Sequence, residues 1–168
     1  MTAHLRLTVV VLGLLILQLS LASGLPLFGA TADLLLIAAV AAGLAAGSDR
    51  GAAIAFVIGL TYDLVLQTPF GLTALTYCLV AFAVGQLQSS WLRPTWWIPW
   101  SVTAVACAAG TGLYAVMATT VGVDAVRGGR VLVTMAVVAG WSLLWGPLIR
   151  RLVGWALATD DPRRAWAR

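Results

Sequence analysis

Two carboxylates, Asp33 and Asp63, lie in or beside long apolar runs of this 168-residue chain. An ionised side chain in hydrocarbon costs at least about 2.5–3.5 kcal/mol, so a carboxylate kept there needs a partner or a task such as a role in transport. For Asp63 we expect the structural option: its oxygens accept backbone N–H groups from the polar break at 68–72 and tie two helices together. Asp33 stands near the start of an apolar run, where the positive end of a helix favours an anion. Nucleophilic chemistry finds no support. His4, the single histidine, lies in the N-terminal tail without companions, and the scattered serines and threonines have no base beside them. Neither a P-loop nor a GxGxxG pattern occurs. Cys78 and Cys107 fall inside apolar runs without CxxC spacing and read as small buried hydrophobes, with a disulfide between spans as the lesser alternative. We therefore expect no enzyme, no cofactor and no metal.

The elements that position these residues follow from composition. Hydrophobic residues make up 61% and charged residues 10% of the chain, and its mean hydropathy is +0.98. Soluble domains hold about 45–50% apolar and about 25% charged residues, so water is not the main solvent here. About 20 residues cross a bilayer core of roughly 30 Å, and six apolar segments are expected at 5–21, 31–46, 51–66, 72–88, 98–121 and 131–153. The first could be a cleavable signal peptide, but its apolar run exceeds the usual 7–15 residues and we read it as retained. Gly24 and Pro26 end it. Ser48, Asp49 and Arg50 read as a short turn, and Gln67 to Gly71, with Pro69, as a tight hairpin. The stretch around Trp91, Trp96, Trp97 and Trp100 reads as a loop at the membrane interface. The expected architecture is thus an all-α membrane protein: one transmembrane helical domain over residues 1–155, about six spans, and a short basic cytoplasmic tail over 156–168.

Every basic residue is an arginine and every acidic one an aspartate. With six spans, Arg6, Arg50, Arg93, Arg150, Arg151, Arg163, Arg164 and Arg168 share one side, and Arg127 and Arg130 the other. Basic residues gather on the cytoplasmic side of short loops, which puts both termini in the cytoplasm. Single arginines at span ends suit a lipid surface better than nucleic acid. Small residues recur at a spacing of four: Gly43, Gly47 and Gly51, then Ala55–Gly59, Ala81–Gly85 and Ala106–Gly110. Such rows let helix backbones approach closely in lipid. They support a packed bundle, leave self-association open and name no partner.

The stretch IGLTYDLVLQTPFGLTALTYCLVAFAVGQLQ, residues 58–88, resembles the signature of the bacterial rod shape-determining protein MreD family. The shared pattern is Gly59, Asp63-Leu64, a break with Pro69, Phe70 and Gly71, then Ala74-Leu75 and a helix reaching Gly85. Pro26 followed by Asp33, Leu34 and Leu35 also resembles that family's entry into its second span. The resemblance implies a non-catalytic plasma-membrane scaffold for cell-wall elongation that binds MreC and works with MreB filaments, the RodA glycosyltransferase and a class-B penicillin-binding protein. It also implies a fold similar to the S subunits of energy-coupling-factor vitamin transporters. From that similarity comes the alternative, a small-molecule-binding transporter subunit, for which Thr61, Tyr62, Thr73, Thr76, Tyr77, Thr103 and Thr111 are the polar side chains at hand.

Overall fold

The computed structural model describes residues 3–24, 33–65, 70–91, 98–122 and 130–158. Pro26, Pro69, the tryptophans at 96 and 97, and the tail from 159 lie outside them. The described residues form six helices and no strand: α1 (Ala3–Gly24), α2 (Leu34–Ala46), α3 (Ser48–Val65), α4 (Leu72–Trp91), α5 (Ile98–Thr120) and α6 (Arg130–Leu157).

Helix α2 sits at the centre. Its sequence, LLLIAAVAAGLAA, is built from strong helix formers and is apolar on every side. A helix with no polar face is stable only if covered all round. Every residue from Leu34 to Gly43 is buried, and α2 packs against each of the other five helices. At 1.5 Å per residue its 13 residues reach about 20 Å, short of the roughly 30 Å hydrocarbon core, which suits an inner helix wrapped by longer ones.

The chain turns from α2 into α3 on one residue. Gly47 takes φ +83°, open to glycine without a Cβ penalty. Its N–H closes on the Gly43 carbonyl at 3.1 Å, and the Gly51 N–H picks up the Gly47 carbonyl at 3.0 Å. Ser48, Asp49 and Arg50, expected as a turn, are instead the first turn of α3, where Asp49 meets the positive end of the helix. Gly47 therefore breaks both of the GxxxG pairs that include it. Gly43 and Gly51 face each other across the hairpin instead: a Cβ on Gly51 would lie 2.6 Å from the Gly43 Cα.

The same close approach recurs through α2, α3 and α4. A Cβ on Gly43 would meet the Ala81 carbonyl oxygen at 2.5 Å, one on Gly59 the Ala74 Cα at 2.5 Å, and one on Gly85 the Ser48 nitrogen at 2.5 Å. Backbone rests on backbone at both ends of the α3–α4 pair. Helices α5 and α6 pack together and against α2, and α1 lies on α2 and α6.

The five helices around α2 expose large apolar side chains. Ile16 on α1, Leu64 on α3, Leu132 and Leu144 on α6 are each about two-thirds exposed or more, at 67%, 70%, 73% and 70%. Faces of this kind spread round a whole molecule belong in lipid rather than water. Two segments, Pro99–Thr120 and Val131–Leu157, are long and apolar enough to cross a membrane, and Leu5–Ser20, Leu34–Ala46 and Leu72–Gln88 are shorter apolar helices.

Gly85→Ala should lower the detergent-solubilised melting temperature, at a cost of about 1–3 kcal/mol for forcing a methyl against backbone. Gly13→Ala is the matched control, since nothing lies within 4 Å of a Cβ there. Equal melting temperatures for the two variants would refute the close approach of α4 to the α2–α3 turn.

Candidate functional site

The buried start of α2 sets the local chemistry. The first turn of any helix carries N–H groups without intrahelical partners, and in a dry bundle side chains must take them. Asp33 is the N-cap of α2. Its Oδ1 accepts the Leu36 N–H at 2.9 Å, while its own carbonyl accepts the Ile37 N–H at 3.2 Å. The Leu35 N–H donates instead to Gln18 Oε1, 3.1 Å away on α1. One helix thus caps another.

The Asp33 carboxylate is held from the opposite side by α4. The Tyr77 hydroxyl lies 2.7 Å from Oδ1 and 2.8 Å from Oδ2, so its single proton is shared between both oxygens. Hydrogen bonds to an ionised acceptor are roughly twice as strong as neutral ones. Gln18, at 3% exposure, and Tyr77, at 2%, are both buried. Tyr62 on α3 and Tyr114 on α5 lie near enough to Asp33 and Asp63 to feel their charge. Hydrogen bonds thus bring α1, α2 and α4 together at one polar point.

Asp63 closes the next joint. From the last turn of α3 its Oδ2 accepts the Gly71 N–H at 2.9 Å and the Ala74 N–H at 3.2 Å, capping α4 from across the break. Gly71 adopts φ +93° beside it. A methyl in place of the Gly59 hydrogen would push the Ala74 backbone away from this cap. Asp63, Gly59 and Gly71 thus meet at one place, while Asp33 serves its own helix. Gly43, Gly47 and Gly85 form a separate group at the opposite end of the bundle, and Pro69 lies outside the described residues.

Other polar groups at depth turn back on their own helices. The hydroxyls of Thr61, Thr76, Thr103 and Thr111 donate to the carbonyls of Val57, Leu72, Pro99 and Cys107, at 2.6–2.9 Å. Cys78 and Cys107 are both free thiols, and Cys107 is fully buried. This arrangement fixes helix ends in an apolar medium and leaves these groups little capacity for a ligand.

Sequence reasoning passed over Gln18, and treated Tyr77 only as one of several scattered polar groups. A signal for Gln18 was present: it is the lone amide in an otherwise apolar first span, and such a group in lipid needs a partner. The pairing of Tyr77 with Asp33 crosses 44 residues, and no local pattern encodes it.

A buried central helix, carboxylate-capped helix starts and apolar outer faces define a helical membrane protein. A family model, rod shape-determining protein MreD, matches residues 2–153, and the chain belongs to that family. The family is one of shape-determining structural membrane proteins and is not a known enzyme family. No curated protein and no solved structure gives a significant match.

Tyr77→Phe should destabilise the protein by about 1.5–3 kcal/mol, the range for a hydrogen bond to a charged group. In a double-mutant cycle with Asp33→Asn, melting in detergent should show coupling between the two sites; strict additivity would mean that the pair is not a stabilising contact. Asp63→Ala leaves the Gly71 and Ala74 N–H groups without this acceptor. We expect a loss of about 1–3 kcal/mol, with faster proteolysis near residues 66–70, and unchanged cleavage there would argue against the tie.

Proposed function

We propose that this chain is a non-catalytic adaptor of the cell-elongation machinery that receives the transmembrane helix of MreC on its outer helix faces. Membership of the MreD family, which carries a role in the membrane machinery of rod-shape determination, is the observation on which the proposal rests. In this reading the chain crosses the plasma membrane six times with both termini cytoplasmic, and MreB, RodA and a class-B penicillin-binding protein join it through the wider assembly.

Charge placement supports the orientation. Arg6 starts α1, Arg50 starts α3, and Arg150 and Arg151 lie near the end of α6, all at the end of the bundle where α2 turns into α3. Asp33 and Asp63 occupy the other end. The basic end then faces the cytoplasm, as the usual bias of short loops requires.

Exposed glycines support a lateral partner. Gly13 on α1 and Gly140 on α6 both lie on outer faces, with nothing within 4 Å of the Cβ position. A shallow notch in a lipid-facing helix lets a second helix approach closely, and van der Waals packing drives such association. The alternative, a subunit binding a vitamin-like molecule within an S-subunit-like fold, is less well supported, because Tyr77 already bonds to Asp33, and Asp33 and Gln18 to the start of α2.

Tagged chain extracted in mild detergent should retain MreC from the same cell. Gly13→Leu and Gly140→Leu should each keep the wild-type melting temperature, and at least one should lose several-fold in retained MreC. If the folded wild-type chain fails to retain MreC at all, the adaptor reading is wrong.

A further inference from the structure

We propose that the seam between the start of α1 and the end of α6 binds the phosphate of an anionic phospholipid. The Arg6 guanidinium stacks over the Trp155 indole, 4.7 Å from the ring centroid. Its Nε is buried and has no hydrogen-bond partner. Trp155 remains 55% exposed, so one guanidinium and an open indole edge lie side by side at the surface. Arg151 is exposed one helical turn before Trp155 and Arg150 is half-buried next to it. Among the described residues none of these three arginines forms an ion pair.

The chemistry of the seam selects the ligand. Arginine presents a planar fork of donors that matches phosphate oxygens in pairs, and tryptophan settles at headgroup depth. Snorkelling of arginines towards water accounts for Arg151 but not for Arg6, whose Nε is shielded from water and still lacks an acceptor. Nε is the one guanidinium nitrogen of Arg6 that is both enclosed and unpartnered, so the terminal nitrogens are the donors that meet a phosphate along the seam. About one turn deeper than the arginines the exposed side chains are aliphatic: Val9 on α1 and Leu148 on α6. A ligand with an anionic head and acyl chains fits both levels, whereas a free anion uses only the upper one. This inference rests on the membrane placement of the chain and not on its partnership with MreC.

The test uses the full chain in detergent, titrated with phosphatidylglycerol or phosphatidylcholine and read by native mass spectrometry. Phosphatidylglycerol should bind about tenfold more tightly, and Arg6→Gln and Arg151→Gln should each remove about that factor, equivalent to about 1.4 kcal/mol. Arg50→Gln, at the α2–α3 turn, should bind as wild type does. Because the Arg151 side chain is exposed, its variant decides the matter even if Arg6→Gln fails to fold. Equal binding of the two lipids, or wild-type binding by Arg151→Gln, would overturn the proposal. Displacement of phosphatidylglycerol by an equal concentration of inorganic phosphate would overturn it too, in favour of a free-anion site. A chain that proves folded and monodisperse without detergent would remove the membrane placement itself, an outcome separable from loss of lipid selectivity.

Discussion

The rest of the structure depends on a helix start buried where water cannot reach it. Helix α2 begins inside the bundle, so its first N–H groups must be met by protein. Asp33 and Gln18 meet them, one from the residue that precedes the helix and one from α1. A carboxylate placed there would itself be costly, and the Tyr77 hydroxyl from α4 offsets that cost. Satisfying one helix terminus therefore fixes the relative positions of three helices. A second carboxylate, Asp63, repeats the solution for α4 with a cap supplied by α3.

Close packing completes what these polar ties begin. Hydrophobic burial drives little association between helices already in lipid, so contact area and backbone proximity matter more. Gly43, Gly51, Gly59 and Gly85 each remove the one methyl that would hold neighbouring backbones apart. The result is an inner unit of α2, α3 and α4, pinned by polar caps and Gly59 at one end and by Gly43, Gly51 and Gly85 at the other. Helices α1, α5 and α6 cover the open sides of α2 and present much of the outer surface.

This division suits a member of the MreD family. Asp33, Gln18, Tyr77 and Asp63 are engaged in holding the bundle together at depth. The outer surface offers aliphatic faces with occasional notches, and a basic rim where Arg6 and Trp155 meet.

Much of this was legible in the residues themselves. Composition settled the apolar medium, because 10% charged residues cannot clothe a water-soluble surface. Six apolar stretches located the helices to within a few residues, and Asp63 with Gly71 announced the joint between α3 and α4. Boundaries were read less well where one residue decides: Gly47 alone reverses the chain and draws Ser48, Asp49 and Arg50 into α3, since a positive φ at glycine needs no longer loop. The tertiary structure alone decided which helix is central and which groups meet. Spans that are apolar all round carry no periodic mark of an inner face, so nothing local distinguishes α2 from its neighbours. Nor does sequence separation reveal that Gln18, Asp33 and Tyr77 share one dry point, because their meeting is set by the requirement that backbone N–H groups in lipid find partners wherever the fold brings them.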